Sequence, residues 1–432
     1  MQRARTIPKC LPDWQFGRVT EVLESPSPAA SDAAASARWR ILALLATAQL
    51  LGMSLWFTAS ATAAHFQALW QLSPAQTGGL TTVVQLGFVA GTALAALLNV
   101  ADILPARLLL PASVLAAALA NGLLLVAGSY EQALALRFAT GLLLAGVYPP
   151  AMKMAATWFR AARGLAIGTI VGALTVGKAA PYLVHALTGS VDPRFVVLSA
   201  SAGAVLAGLL VLALYHDGPF AFPRRPFSWS LAGTVWRDRP TRLAIGGYLG
   251  HMWEVYAMWT LVSVFFFDYF ALRGASRIDA GTWAGLVAFL AIAAGGAGSV
   301  LAGAWADRLG RERITIWAML VSGACSLAIG WLTMLPAALL IGIAMVWGFA
   351  VVADSAQFSA IVTEVAPPHA VGTALTLQTS LGFLLTAGSI WLCVEVSERL
   401  GWGPAFTMLA AGPALGIWAM ARLRAMRTAP AP

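Results

Sequence analysis

The stretch that decides the fold is Gly303-Ala304-Trp305-Ala306-Asp307-Arg308-Leu309-Gly310-Arg311-Glu312-Arg313. It lies between two long apolar segments, and five of the seven residues from Asp307 to Arg313 are ionised at neutral pH. Charges at this density do not lie in hydrocarbon, and Gly310 permits a tight turn that sends the chain straight back. We therefore predict a short loop at a membrane surface.

The composition of the whole chain also indicates a bilayer protein. Of its 432 residues, 59% are hydrophobic and 10% are charged, whereas soluble domains carry about 25% charged residues. Runs of roughly 20 apolar residues are long enough to cross a membrane as helices. We predict an all-α membrane protein with twelve transmembrane helices at 41–63, 77–99, 107–127, 132–151, 164–187, 195–215, 243–267, 282–304, 314–334, 337–357, 371–394 and 403–421.

The net charge of +9 raises the question of a nucleic-acid partner, which the placement of the charges argues against. Seventeen of the 27 Lys and Arg residues fall on one predicted side of the membrane, and four fall on the other: Arg194, Arg273, Arg277 and Arg399. This bias follows the positive-inside rule and predicts that both termini are cytoplasmic. The basic residues are dispersed among short loops, so we expect no nucleic-acid binding.

The chain has an internal echo that predicts two pseudo-symmetric halves. Asn99–Arg107 repeats the charged stretch 205 positions earlier (307 − 102 = 205), with Asp102 in the place of Asp307. Gly87 and Gly91 before the first copy match Gly295, Ser299 and Gly303 before the second, and small residues at spacings of four let helices approach closely. We predict a disordered cytoplasmic tail at 1–37, six-helix halves at 38–216 and 243–432, and a linker at 217–242.

Two predicted spans carry acidic residues next to polar ones. His251 and Glu254 in the seventh span are three residues apart and share a helical face, as do Asp354 and Gln357 in the tenth. A carboxylate inside a span is costly, which favours proton or substrate handling over a merely satisfied hydrogen-bond pair. We expect Glu254 and His251 to share a proton, with Asp354 as the alternative carrier.

Two basic residues also fall inside predicted spans. Arg137, at the start of the fourth span, either snorkels to the interface or has an internal partner. Lys178, well inside the fifth, needs an acidic partner, a substrate anion or a water-filled cavity. Lys178 is a candidate substrate-binding residue together with other polar and aromatic span residues: Gln49, Trp56, Gln85, Tyr256, Gln357 and Gln378. Cys10, Cys325 and Cys393 lack metal-type spacing, so we expect no metal site and no cofactor.

From about residue 38 to 427 the chain resembles the major facilitator superfamily. The family's loop signature, Gly-x-x-x-Asp-Arg-x-Gly-Arg, is matched by Gly303, Asp307, Arg308, Gly310 and Arg311. The resemblance implies that Asp307 and Arg308 act as a conformational latch. In the first copy, only Asp102 and Arg107 remain of the signature, since Leu98, Ile103 and Pro105 replace its other residues.

The resemblance has further implications for the spans. Arg137 with Gly141 is similar to the fourth-span motif of proton-linked members, and Lys178 interrupts the fifth-span pattern of drug/proton antiporters. The family architecture places the first, fourth, seventh and tenth spans around the cavity, with Gln49, Arg137, Glu254 and Asp354 on them. Arg137 thereby joins the proton-coupling candidates.

The function we expect is secondary active transport of a small solute by alternating access, coupled to protons, in the plasma (bacterial inner) membrane. We expect a monomer, and the absence of a Gly-x-x-x-x-Gly-Lys-Ser/Thr loop argues against an ATP-driven pump. An importer or exchanger of an organic or inorganic anion held by Lys178 and Arg137 is the alternative. An intramembrane enzyme using His251 and Glu254, or a non-transporting receptor, is a more remote one.

Overall fold

The computed structural model of the chain describes residues 28–98, 100, 104–159, 162–188, 192–220 and 228–428. The chain from Arg38 onward forms one compact unit. Most of the predicted tail, residues 221–227 of the predicted linker, and the latch candidate Asp102 lie outside the described residues. The division into tail, two halves and linker stays a prediction.

Every regular element of the described chain is helical, which confirms the all-α prediction. The α-helices are α1 Pro28–Met53, α2 Thr58–Ala61, α3 Ala63–Trp70, α4 Pro74–Leu97, α5 Ala106–Leu123, α6 Tyr130–Leu144, α7 Tyr148–Ala156, α8 Arg163–Leu187, α9 Pro193–Leu214, α10 Trp229–Arg237, α11 Arg239–Leu272, α12 Arg277–Leu309, α13 Arg311–Ala328, α14 Ala337–Ala353, α15 Ser355–Val365, α16 Val371–Leu400, α17 Trp402–Thr407 and α18 Ala411–Thr428. Single 3₁₀ turns follow α5, α13 and α17 at Leu124–Val126, Ile329–Trp331 and Met408–Ala410.

Eleven segments of the described chain are long and apolar enough to cross a bilayer, and they correspond to the second to twelfth predicted spans. The first predicted span, 41–63, is divided among α1, α2 and α3. The hydroxyl of Ser54 donates to the Leu51 carbonyl at 2.6 Å, a local bond that competes with the helical ladder where α1 ends. The chain therefore enters the bilayer as a broken helix rather than a continuous one.

The fourth and tenth predicted spans are also interrupted. The fourth consists of α6 and α7, and the turn between them is followed by Pro149 and Pro150 in the first turn of α7. Proline is tolerated there because it lacks the N–H that a helix interior needs. The tenth consists of α14 and α15, with Asp354 between them. Both segments continue past their predicted ends, to Ala156 and Val365.

The charged stretch Gly303–Arg313 is helical on both sides of Gly310, so the predicted short loop was wrong. Helix α12 continues through Asp307 and Arg308 to Leu309, and α13 begins at Arg311, so that only Gly310 separates them. The turn at Gly310 was correctly predicted, since its φ of +91° is one that glycine adopts readily. A helix can continue past the membrane surface and carry charged residues into water. The number of charges therefore predicted where the apolar segment ends but not where the helix ends.

Close helix pairs join the N-terminal and C-terminal parts of the chain, with α8 packed along α12 and α4 along α16. The predicted small-residue stripes lie at these contacts and at neighbouring ones. A Cβ added at Gly172 would lie 2.7 Å from the Gly296 carbonyl oxygen, and one at Gly168 would lie 2.6 Å from that of Ser299. The α8–α12 contact can therefore exist only with glycine on α8.

Candidate functional site

A buried lysine surrounded by aromatic rings lies where the two parts of the chain meet. The ammonium of Lys178 on α8 donates a hydrogen bond to the Tyr256 hydroxyl on α11. It also lies 4.0 Å from the ring centroid of Trp56, 4.7 Å from that of Tyr256 and 5.2 Å from that of Trp259, within the range of cation–π attraction. We call Trp56, Lys178, Tyr256 and Trp259 the lysine cage.

Local backbone features place the members of the lysine cage. Trp56 lies in the non-helical turn between α1 and α2, so its side chain does not follow the regular spacing of a helix. Gly177, which precedes Lys178, has no room for a side chain, because a Cβ there would lie 2.1 Å from the Leu50 carbonyl oxygen. Helix α8 thus approaches α1 closely and brings Lys178 to Trp56. The Lys178 side chain is only 2% exposed.

An aromatic wall continues from the lysine cage to the α4–α16 contact. The ring of Phe88 on α4 lies 5.2 Å from Trp56 and 4.5 Å from Phe383 on α16, and Phe383 lies 5.2 Å from Tyr256. One helical turn away, the Thr386 hydroxyl donates to the buried amide oxygen of Gln85. Of the predicted substrate-binding residues, Lys178, Trp56, Tyr256 and Gln85 therefore gather at one interface.

Glu254 is buried on α11 among neutral hydrogen-bond donors. The indole N–H of Trp347 on α14 donates to Oε1 at 2.7 Å, and the hydroxyl of Ser322 on α13 donates to Oε2 at 2.9 Å. The side chain is 1% exposed, and among the ion pairs of the described residues none includes Glu254. This carboxyl group is held in place without a cation.

His251 has a different partner from the one that the sequence predicts. Its Nδ1 lies 2.8 Å from Oδ1 of Asp354, the residue between α14 and α15, and both side chains are 2% exposed. The expected pairing of His251 with Glu254 is not formed in this structure. The spacing of three residues put the two on one face, but the nearest acid for His251 comes from another helix.

Arg137 does not snorkel, because its side chain is completely buried. Its guanidinium donates at 3.0 Å to the Leu55 carbonyl, the Thr58 hydroxyl and the Asn121 amide oxygen, and also to the Trp56 carbonyl. Leu55 and Trp56 belong to the break in the first span, whose carbonyls have lost helical partners. Arg137 therefore holds the broken helix in place with a planar fork of donors.

The remaining glutamines lie outside the lysine cage contacts. Gln49 donates to the Val147 carbonyl at 3.3 Å, in the turn between α6 and α7. Gln357 accepts from Arg311 at 2.7 Å, and Gln378 donates to the Ser359 hydroxyl at 3.4 Å. Their described hydrogen bonds support breaks and helix contacts, and their roles in substrate binding stay predictions.

The latch residue Asp307 lies against the beginning of α8. A Cβ added at Gly164 would lie 2.5 Å and 2.6 Å from the two carboxylate oxygens of Asp307, and 2.6 Å from the Gly303 carbonyl. The N-cap residue Ala162 makes no side-chain hydrogen bond to the first turn of α8. A negative charge there is favourable, since the N-terminus of a helix carries partial positive charge.

Arg311 rather than Arg308 ties the charged stretch to its surroundings. Arg311 lies 3.4 Å from Asp307 and 2.7 Å from Glu364 on α15. Arg427 on α18 joins the same network through Glu312 at 2.5 Å and Glu364 at 3.1 Å. Arg308 is exposed, as is Arg107, the described remnant of the first copy.

Several contributing residues were not singled out in the sequence: Trp259, Phe88, Phe383, Thr386, Trp347, Ser322, Asn121, Gly164, Glu364 and Arg427. Trp347 could have been recognised from the sequence as unusual. Tryptophan is enriched at membrane interfaces, whereas Trp347 lies in the middle of a span. For metals, the described residues contain no group of three or more His, Cys, Asp or Glu that could hold an ion.

Comparison with known proteins decides the family. The family model described as Major Facilitator Superfamily matches residues 44–390, which is most of the chain. This protein belongs to the major facilitator superfamily. Membership makes it an integral membrane protein and a secondary transporter of small molecules rather than an enzyme.

Solved structures of other superfamily members share the fold. A mutant of the nucleoside transporter NupG is 15% identical with a TM-score of 0.66, over 89% of this chain and 99% of that chain. The human organic anion transporter MFSD10 (TETRAN) is 16% identical with a TM-score of 0.62, over 89% and 99%. The proton:xylose symporter XylE bound to 6-bromo-6-deoxy-D-glucose is 15% identical with a TM-score of 0.68, over 90% and 96%. No curated protein matches the sequence.

Proposed function

We propose that this protein is a proton-coupled transporter that works by alternating access in the plasma (bacterial inner) membrane. It acts as a monomer with both termini in the cytoplasm, in line with the positive-inside bias of its loops. Its substrate binds between the two six-helix halves, and a proton binds within the C-terminal half.

Glu254 is the observation that carries the proposal of proton coupling. It is 1% exposed, and its two oxygens are met by the neutral donors Trp347 and Ser322. An ionised carboxylate without a cation is costly inside a bilayer. The two donated hydrogen bonds favour the ionised form, but burial without a cation opposes them and is the larger effect. We infer that Glu254 is protonated in the closed site and releases its proton when one side gains access to water.

His251 and Asp354 form a second proton-binding candidate close by. A histidine and a carboxylate 2.8 Å apart can hold a proton between them and exchange it when the helices move. Asp354 lies at the break between α14 and α15, where a small change of helix direction would separate the pair. Glu254 remains the first choice because no cation is paired with it in the described chain.

Asp307 and Gly164 support the alternating-access part of the proposal. The carboxylate touches the first turn of α8 only while α8 and α12 are packed together at this end. A contact made in one conformation biases the equilibrium between conformations by its free energy. We assign Asp307, with Arg311, Gln357 and Glu364 behind it, as a latch for the state closed on the cytoplasmic side.

The lysine cage and the aromatic wall support a substrate site between the halves. Trp56, Lys178 and Phe88 come from the N-terminal part of the chain, and Tyr256, Trp259 and Phe383 come from the C-terminal part. A ligand bound among these residues would contact both parts of the chain, so its affinity would depend on the distance between them. The structural neighbours are named as transporters of a nucleoside, of organic anions and of xylose, and these compounds are the first probes to try.

The experiment that tests this function uses the full-length protein in lipid vesicles with an imposed pH gradient. Uptake of radiolabelled uridine, xylose and benzoate is followed together with internal pH, measured by an enclosed dye. We expect one of these solutes to accumulate against its gradient only while the pH gradient lasts, with a matching proton flux. Equilibration of a solute to equal concentrations with no proton flux would contradict proton coupling.

A further inference from the structure

Lys178 is a buried cation for which the described chain supplies no negative charge. The other buried charged side chains of the described residues each have a named neighbour: His251 lies 2.8 Å from Asp354, Glu254 accepts from Trp347 and Ser322, and Arg137 donates to the broken first span. Among the described residues, the one hydrogen-bond partner of Lys178 is the neutral hydroxyl of Tyr256. A buried charge needs a partner, and an ammonium has three N–H groups to satisfy.

Three buried polar atoms without a partner near Lys178 are hydrogen-bond donors, and the Tyr182 hydroxyl, one turn along α8, is a fourth unpaired atom that can donate or accept. The indole nitrogens of Trp56 and Trp259, both members of the lysine cage, are buried without an acceptor. The amide nitrogen of Gln85, one turn from Phe88 in the aromatic wall, is likewise buried without an acceptor. Buried polar groups in folded proteins are nearly always satisfied, so this concentration of free donors requires an explanation.

We propose that the lysine cage binds small organic anions, namely carboxylates with an aromatic or otherwise flat apolar body. The carboxylate oxygens accept from the Lys178 ammonium and from the free indole N–H groups. The apolar body lies against Phe88 and Phe383, whose rings are 4.5 Å apart at the continuation of the cage. This assignment rests on the proposed transport function and names its substrate class.

The geometry argues against the two other charge classes. An organic cation would compete for the face of Trp56, which the Lys178 ammonium already occupies at 4.0 Å. Inorganic phosphate or sulfate is recognised by several charged or backbone donors at once. The lysine cage offers one charged donor, the Lys178 ammonium, and its other free donors are neutral indole N–H groups on large apolar rings. Arg137, the second buried basic residue of the described chain, has both terminal nitrogens engaged by the broken helix and Asn121. Only its Nε is left without a partner, so it does not offer an anion the paired donors of a free guanidinium.

The cage also links binding to movement. The hydrogen bond from Lys178 to Tyr256 joins α8 to α11, and a bound carboxylate would take the ammonium away from the Tyr256 hydroxyl. The anion would thereby weaken one contact between the halves while it forms new ones. A ligand shifts a conformational equilibrium only through such differences between states.

The test measures binding to the purified full-length protein in nanodiscs by calorimetry, without any gradient. The probes are benzoate, phenylacetate and nicotinate, with benzamide, benzylamine and sulfate as the neutral, cationic and inorganic comparisons. We expect at least one of the three carboxylates to bind, with benzamide and benzylamine more than tenfold weaker. Binding by none of the carboxylates, or equal binding of benzamide, overturns the proposal. Sulfate binding without carboxylate binding overturns it as well.

Variants of the cage locate the binding site. Lys178→Gln should weaken carboxylate binding more than tenfold, and Lys178→Arg should keep it within a few-fold, because charge is the requirement. Trp259→Phe, which keeps a ring and removes the N–H, should weaken binding several-fold. The matched control is Lys153→Gln, the same change at the other described lysine, on α7. Unchanged binding in a folded Lys178→Gln protein would contradict the assignment.

Transport assays separate this inference from the proposed function. Carboxylate binding with no gradient-driven uptake would leave the lysine cage assignment intact and remove proton coupling. Gradient-driven uptake of xylose or uridine, with no carboxylate bound, would support the proposed function and overturn the assignment of the cage.

Discussion

His251 Nδ1 lies 2.8 Å from Asp354 Oδ1, and this contact joins α11 to the break in the tenth span. The two buried acidic residues of the described C-terminal half are thereby separated: Asp354 is paired with His251, and Glu254 is not. Both are buried, and both lie on spans that the family resemblance assigns to the central cavity. Proton coupling can therefore be tested at two positions independently.

The first prediction compares two arginines of the charged stretch. Arg311→Gln should slow transport strongly, because Arg311 bonds to Gln357 and Glu364 and lies 3.4 Å from Asp307. Arg308→Gln, the same change three residues away at an exposed position, should have a much smaller effect. Initial uptake rates in vesicles, normalised to folded protein, provide the measurement. An equal loss of uptake rate in the two variants would contradict a specific role of Arg311 in the latch.

The second prediction concerns the contact between α8 and α12. Gly164→Ala places a methyl group 2.5 Å from Asp307 Oδ1 and 2.6 Å from the Gly303 carbonyl oxygen, so the helices must move apart. Overpacking of this kind typically costs about 1–3 kcal/mol. Gly281→Ala on α12, where a Cβ meets no atom within 4 Å, is the control and should be neutral or slightly stabilising. Melting temperatures in detergent distinguish the two, and an unchanged value for Gly164→Ala would rule out the tight contact.

The third prediction asks whether Arg137 is structural. Arg137→Leu leaves the Trp56 carbonyl without its side-chain donor, and it leaves the Leu55 carbonyl and the Asn121 amide oxygen with only the Thr58 hydroxyl to share. A buried acceptor left unpaired costs about 1–3 kcal/mol. We expect a large loss of folded, monodisperse protein on size-exclusion chromatography. Arg399→Leu removes an arginine that is 74% exposed and should leave the yield unchanged. A folded Arg137→Leu protein with normal melting but no proton-driven uptake would instead make Arg137 a coupling residue.

The sequence predicted the features that depend on local composition. Apolar runs predicted the spans, and Gly310 predicted the turn. Lys178 and Glu254 could be singled out because each is a charged residue inside an apolar run. The hydrogen-bond partners could not be predicted, because they come from distant helices: Trp347 reaches Glu254 across 93 positions, and Leu55 meets Arg137 across 82.

Interruptions of helices were the second part that the sequence did not reveal. The residues on both sides of Ser54–Phe57 are equally apolar. A search for apolar runs of about 20 residues therefore does not detect that the helix stops there. Charge density misled in the opposite way at Asp307 and Arg308, which extend α12 into water. The composition of a segment predicts whether it lies in lipid or in water. Whether the segment is a continuous helix depends on its hydrogen bonds.

Glu254→Gln gives the most direct test of the central claim, that a buried carboxyl group of the C-terminal half couples transport to protons. Glutamine keeps the size of the side chain and can still accept the hydrogen bond from Trp347, so the fold should be preserved. The measurement compares gradient-driven accumulation with solute exchange in the same vesicles, using the solute that the unaltered protein accumulates, and Asp354→Asn is assayed alongside. We predict that Glu254→Gln abolishes accumulation and retains exchange. Intact gradient-driven accumulation by Glu254→Gln would contradict the claim for Glu254, and intact accumulation by both variants would contradict it altogether.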